Sequence, residues 1–253
     1  DNVAVGSQAG DSITTGSKNT LIGKFAGGGI TTNERTTAIG NTCIANGNIG
    51  FAVGVGDEAL TSGSLSGNNH VAIGFRASKN NTTGVNTAVG FRCLQGNTTG
   101  SNNTSMGFDA MIQNATGNNN TALGFQSLAA NTTGDNNAAL GYNTLAANTT
   151  GTQNVAIGDR ALDANTTAND NTGIGAFALQ DNTTGFNNTA VGYSAMEKCT
   201  TGENNSALGA GALVSLTTGN GNTGVGKNSA LSLTTGNANV ALGQEAMDAH
   251  TTG

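Results

Sequence analysis

The chain has 253 residues, with 40 Gly, no Pro, no Trp, 4% aromatic residues, 9% charged residues and a formal net charge of −6. Average chains carry about 25% charged residues and about 7% Gly, so a conventional layered core of large side chains is excluded. The low charge and the absence of Pro also argue against ordinary disorder. Acidity spread along the chain, with no cluster of Lys and Arg, excludes nucleic-acid binding, and no apolar run approaches the roughly 18–20 residues of a membrane-crossing helix.

The chain is a tandem repeat, and the repeat dictates the fold. A Gly closing the pattern A-x-G recurs at Gly6, Gly23, Gly40, Gly56, Gly74, Gly90, Gly107, Gly124, Gly141, Gly158, Gly175, Gly192, Gly209, Gly226 and Gly243. From Gly90 onward the spacing is always 17; before that it is 17, 17, 16, 18 and 16. The slips near Gly56 and Gly74 predict a loop adjustment in TSGSLSGNNH.

The first element of each unit is a strand, N-[TV]-A-[VIL]-G. Four positions before the Gly, twelve of fifteen residues are Asn; three before, thirteen are Val or Thr; two before, fourteen are Ala, Gly or Ser, with Leu21 the exception. The residue directly before the Gly is Val, Ile, Leu or Met in every unit. Such alternation has strand periodicity. The second element, G-x-x-[AS]-[LM], reads as a bend and a short second strand, with Leu, Met or Ile in its last column in eleven units. The unit closes on T-T-G, where Gly and Asn supply left-handed turn conformations at little steric cost.

Helical repeats need about 33 residues or more, and segments such as SLAAN and RALDAN are too short and too interrupted by Gly to compete. The pattern therefore predicts an all-β fold, a parallel β-solenoid of about fifteen 17-residue coils, forming one repeat array over residues 1–253. Coils stacked about 4.8 Å apart would rise roughly 70 Å. The chain starts and stops on repeat boundaries, which reads as a piece of a longer fibre protein.

The aliphatic face of the strand, Thr121 and Leu123 in one coil, is expected to fill the coil interior. The opposite face, Asn120, Ala122 and Gly124, is small, flat and uncharged, and predicts close approach of another chain. The expected chain–chain packing face is therefore Ala88, Ala122, Ala139, Ala156, Ala190, Ala207 and Ala241. Association would also raise the buried fraction of a thin coil.

The pattern N-x-A-[VIL]-G-x-x-[AS] resembles the head repeats of YadA-type trimeric autotransporter adhesins, with extra residues around the T-T-G turn. The full NTALGxxALxxNTTG form also resembles repeats of bacteriophage tail-fibre and bacterial surface proteins. The likeness runs the length of the chain. It implies a left-handed parallel β-roll, a homotrimer, and display outside the cell, on a bacterial surface or a virion. The function it implies is a structural and adhesive fibre segment: a stiff rod that carries a tip for a host receptor or glycan in flanking domains. Neither family supplies a catalytic motif that maps onto these residues.

No enzyme, cofactor, metal site or membrane-inserted segment is expected. Cys43 and Cys93 fall where most units have Ala, and read as small buried hydrophobes; Cys199 replaces a turn Asn. Their odd number and irregular spacing argue against a disulfide framework. His70 and His250 lie too far apart for a shared metal. GKFAGGGI lacks the phosphate-loop pattern, Asp and Glu do not recur as calcium-binding repeats require, and the N-x-T triplets are by-products of the repeat. Two columns remain as candidate ligand surfaces. Thr133, Thr150, Thr167, Thr184 and Thr201 form a ladder that would serve the alternative function, a ligand-binding solenoid such as an ice-binding protein, although adjacent Thr at a turn are better explained by hydroxyls that satisfy turn backbone groups and stack. Phe75, Phe91, Phe108, Phe125 and Tyr142 form an aromatic stripe, expected to pack on a neighbouring chain.

Overall fold

A computed structural model of the chain describes residues 1–47, 49–62 and 69–252. The loop adjustment predicted in TSGSLSGNNH falls largely on residues 63–68, outside the described residues. Two compact units emerge, Asp1–Leu123 with Asn131–Thr133, and Gly124–Ala130 with Gly134–Gly253. Both are built from the same coil.

Each coil contributes one strand. In the first unit these are β1 (Val3–Val5), β2 (Thr20–Ile22), β3 (Thr37–Ile39), β4 (Val53–Val55), β5 (Val71–Ile73), β6 (Asn86–Val89), β7 (Asn103–Met106) and β8 (Thr121–Leu123). In the second they are β9 (Ala138–Leu140), β10 (Val155–Ile157), β11 (Thr172–Ile174), β12 (Thr189–Val191), β13 (Ser206–Leu208), β14 (Thr223–Val225) and β15 (Val240–Leu242). Within each unit every strand pairs in parallel with the next in chain order, and like columns meet: Val155 opposes Thr172, Ala156 opposes Gly173 and Ile157 opposes Ile174. The described residues contain no helix. The predicted all-β parallel solenoid is the observed fold.

The second predicted strand is not one. After the Gly, the chain makes consecutive turns, and residues two and four positions on adopt left-handed backbone, as at Asn143 and Leu145, both at φ 50°. That conformation is costly for Leu, but the coils fix it by hydrogen bonds between neighbours. Asn143 N donates to Phe125 O (3.0 Å) and Leu145 N donates to Ala161 O (3.1 Å). The turn thereby aims the Leu side chain inward, and Leu128, Leu145, Leu162 and Leu179 are fully buried.

The two strand faces are also reversed from expectation. The Ala column points into the coil: Ala88, Ala122, Ala139 and Ala156 are wholly buried within the chain. The Thr/Val and Val/Ile/Leu columns point outward. The physical reason is width. A 17-residue coil cannot hold two rows of large side chains, so its interior takes Ala from the strand and Leu from the facing turn. Asn from both walls fills the remainder.

Interior Asn residues satisfy backbone groups that the turns leave without strand partners. Asn154 N and Nδ2 both donate to Asn137 Oδ1 (3.0 and 3.1 Å), and Asn154 Nδ2 also donates to Ala168 O (2.8 Å). A second ladder follows the turn Asn column: Asn165 Nδ2 donates to Asn148 Oδ1 (2.9 Å), and Asn182 Nδ2 to Asn165 Oδ1 (3.0 Å). It stops at Cys199, and Asn182 Oδ1 is left buried without a donor. The bend at Gly141 is equally constrained: its φ is +137°, and a Cβ there would stand 2.5 Å from Gly158 O.

Candidate functional site

The folding leaves the outward strand face uncovered. Ile157 and Ile174 are 38% and 36% exposed, and Leu208 is 53% exposed. None of the thirty residues in its two columns is charged. Charges do occur on the adjoining turn side, at Arg76, Arg92, Asp109, Asp159 and Arg160. In the second unit a groove of about 280 Å³ opens on this face, lined by Thr189, Val191, Ser206, Ala207, Leu208 and Val225. With strands about 4.8 Å apart and about 10 Å of strand facing outward, each unit offers an apolar patch on the order of 300–400 Å², the size of the largest patch on an ordinary monomer and often a functional one.

The predicted packing face therefore needs correction. Ala88, Ala122, Ala139, Ala156, Ala190, Ala207 and Ala241 are at most 2% exposed and lie inside their own coils. Another chain cannot reach them. The absence of charge in that column reflects burial within the chain, whereas in the outward columns it needs a different cause.

The threonine candidates are on the surface. Thr133 in the first unit and Thr150, Thr167, Thr184 and Thr201 in the second are all exposed. The preceding Thr in each turn is half-buried, and its hydroxyl is used: Thr166 Oγ1 donates to Thr183 O (3.1 Å), and Thr183 Oγ1 donates to Thr200 O (3.0 Å). Adjacent Thr residues thus divide the work, one tying coils together and one facing solvent.

Within each unit, neighbouring rings of the aromatic stripe stack on one another. In the first unit the Phe75 and Phe91 ring centroids are 5.2 Å apart, and those of Phe91 and Phe108 are 4.9 Å apart, with interplanar angles of 21° and 8°. In the second, Phe125 and Tyr142 stack at 5.3 Å. Rings stacked along the coil direction cover one another's faces and turn their edges outward. Arg76 and Arg92 add guanidinium groups over Phe75 and Phe91 at 4.8 and 5.1 Å. This geometry suits side-on packing and leaves few open faces for a flat ligand.

The remaining sequence features are structural. Cys43, Cys93 and Cys199 are buried and free. Burial pushes their thiols up to about 12, 11 and 11, respectively, so none is a nucleophile at neutral pH. The Asn of each N-T-T triplet, such as Asn148 and Asn165, is fully buried and closed to glycosylation. Among the described residues no group of three His, Cys, Asp or Glu could hold a metal, and no helix is long and apolar enough to cross a membrane.

Fold and surface together define the class as a parallel β-solenoid repeat protein with an uncharged, aliphatic outer strand face. No protein-family model matches the chain, and no curated protein matches it.

Proposed function

We propose that this chain is a segment of a structural and adhesive fibre. In this reading it assembles as a homotrimer outside the cell, on a bacterial surface or a virion, and carries a tip for a host receptor or glycan in flanking domains. The observation that supports it is the outward strand face. A solvated face repeated through fifteen coils would accept Lys or Glu somewhere, as the turn side does; these two columns accept none. Partner copies laid on this face would cover its Ile, Leu and Val side chains, at about 25 cal/mol for each Å² of apolar area removed from water. The mechanism is stiffness, repetition and multivalent display, with no enzymatic step. The test is the solution mass of the folded chain by light scattering, with circular dichroism on the same sample. A trimer of the 24.9 kDa chain is expected; a folded monomer would overturn the assembly.

A second reading is a ligand-binding solenoid such as an ice-binding protein. It is favoured by the exposed Thr150, Thr167, Thr184 and Thr201, one per coil in successive coils. Thermal hysteresis of the folded chain tests it, and no hysteresis would end it.

A further inference from the structure

One departure of the second coil from the repeat opens a groove. In every other coil the fifth position after the repeat Gly carries a side chain, such as Asp163 or Glu197, and at the sixth only Gly96 otherwise lacks one. In the second coil these positions are Gly28 and Gly29. They floor an open cavity of about 550 Å³, walled by Asp11, Ser12, Phe25, Thr42, Ala45 and Asn46. That volume lies within the usual range of small-molecule sites, about 300–1,000 Å³.

The glycines keep the groove open and set its floor. A Cβ on Gly29 would collide with Ala45 O and stand 2.8 Å from Asn46 Oδ1; one on Gly28 would lie 3.7 Å from Asp11 Oδ1. A side chain at Gly28 would therefore grow towards the carboxylate and fill the space. The floor is held rigidly. Gly27 N donates to Cys43 O (2.9 Å), Gly28 N donates to Phe25 O (3.0 Å), and Gly29 and Asn46 form a parallel bridge. Such fixed backbone pre-organises what it carries. Consecutive glycines cost conformational entropy; a Cβ at Gly28 would stand 3.3 Å from Phe25 O, yet every other coil carries a side chain at the equivalent position.

The chemistry of the wall is mixed. Phe25 supplies an aromatic surface, with Lys24 Nζ 5.3 Å from its ring centroid. Asp11 and Ser12 are exposed, and neither side chain has a hydrogen bond within the described chain. Asn46 makes one long amide contact, 3.4 Å to Thr61 O. A ring with an apolar C–H face and neighbouring hydroxyls matches this set. Phe25 would meet the C–H face, Asp11 would accept from two hydroxyls, and Ser12 and Asn46 would donate or accept at the rim. Asp11 and the net charge of −6 disfavour an anion.

We propose that the Gly28–Gly29 groove is a binding subsite for a neutral saccharide unit. It lies within one chain, so it does not depend on the assembly proposed above. The test is an array of neutral oligosaccharides bearing hexose, N-acetylhexosamine and deoxyhexose units, with sialylated and uronic-acid members as the anionic arm. The strongest array member is then titrated against the full chain, Asp11→Ala and Gly28→Leu. A neutral saccharide should bind the wild-type chain, and Asp11→Ala should weaken it at least tenfold with unchanged circular dichroism and mass. Gly28→Leu should abolish binding by filling the groove; should that variant misfold, Asp11→Ala and Ser12→Ala decide. Binding of no array member, binding of anionic members alone, or binding unchanged in Asp11→Ala and Ser12→Ala would overturn the proposal.

Discussion

Leu21 occupies the interior space that Gly27 leaves empty: a Cβ on Gly27 would stand 2.8 Å from Leu21 Cδ2. Position 27 belongs to the column where eleven coils place Leu, Met or Ile, and position 21 to the column where the other fourteen place Ala, Gly or Ser. The large side chain has changed walls, and the coil keeps its volume. Leu21→Ala should therefore cost about 2–5 kcal/mol, as buried Leu truncations do. Gly27→Leu alone should overpack the coil, at about 1–3 kcal/mol. The double substitution should recover much of both losses, since Leu is accommodated at the equivalent left-handed position of other coils. Urea unfolding of the four chains measures the coupling; simple additivity would contradict the exchange of walls.

The corrected strand orientation separates two substitutions only one residue apart. Ala156→Lys places an ammonium in the wholly buried column and should unfold its coils, seen as loss of the β signal in circular dichroism. Ile157→Lys, in the outward column, should leave that signal intact and shift the solution mass towards the monomer. A folded Ala156→Lys chain would mean that the faces are assigned backwards. An unchanged oligomer in Ile157→Lys combined with Leu208→Lys would remove this face from the assembly.

The turn Asn ladder should be energetically important. Asn165 donates to Asn148 Oδ1 and to Ala168 O (3.2 Å), and accepts from Asn182. Asn165→Ala removes these bonds and strands buried partners, at about 2–3 kcal/mol. Amide exchange in the coils containing residues 148–182 should accelerate locally. No change in exchange would show that the ladder is incidental.

The bend Gly tolerates no side chain. Gly141→Ala would have to adopt φ +137° and displace the Gly158 carbonyl, at a cost of at least about 2 kcal/mol. Thermal unfolding gives the comparison, with the exposed Gly221→Ala as a control, because a Cβ there meets nothing within 4 Å and only its left-handed φ is at issue.

Alkaline pH should destabilise the fold through the cysteines. Burial raises their folded pKa values from 9.0 to about 12, 11 and 11 for Cys43, Cys93 and Cys199. The folded chain thus holds thiol protons that the unfolded chain gives up. The contribution is fully present below pH 9 and is lost as pH rises from about 9 towards 11–12. Denaturation midpoints at pH 8, 9.5 and 10.5 should fall in that order, and the fall should flatten in the Cys93→Ala, Cys199→Ala chain. Native thiols should also resist labelling at pH 8 until the chain is unfolded.

Periodicity was legible because a coil must close in nearly the same number of residues each time. The strand positions, the bend Gly, the burial of Cys43 and Cys93 and the exclusion of helix followed from spacing alone. Even the exception at Leu21 was visible as a break in its column, although its partner at Gly27 was not. The Gly28–Gly29 groove was hidden because its glycines continue a Gly-rich run, and only the stacking of three coils brings Asp11, Phe25 and Asn46 to one place.

The side on which each strand face lies was decided by tertiary structure. Alternation with period two defines two faces but carries no sign: Asn-x-Ala-x-Gly and Thr-x-Leu fit the inside of a coil equally as patterns. The choice depends on the distance between the strand and the facing turn. That distance is set by left-handed Leu residues such as Leu162, which aim inward and leave little room beside them: a Cβ on Gly173 would stand 3.3 Å from Leu162 Cγ. Sequence by itself determined that the chain coils and where each coil turns. The narrow interior determined that Ala and Asn are enclosed, and that the aliphatic columns, from Ile22 to Leu242, face outward.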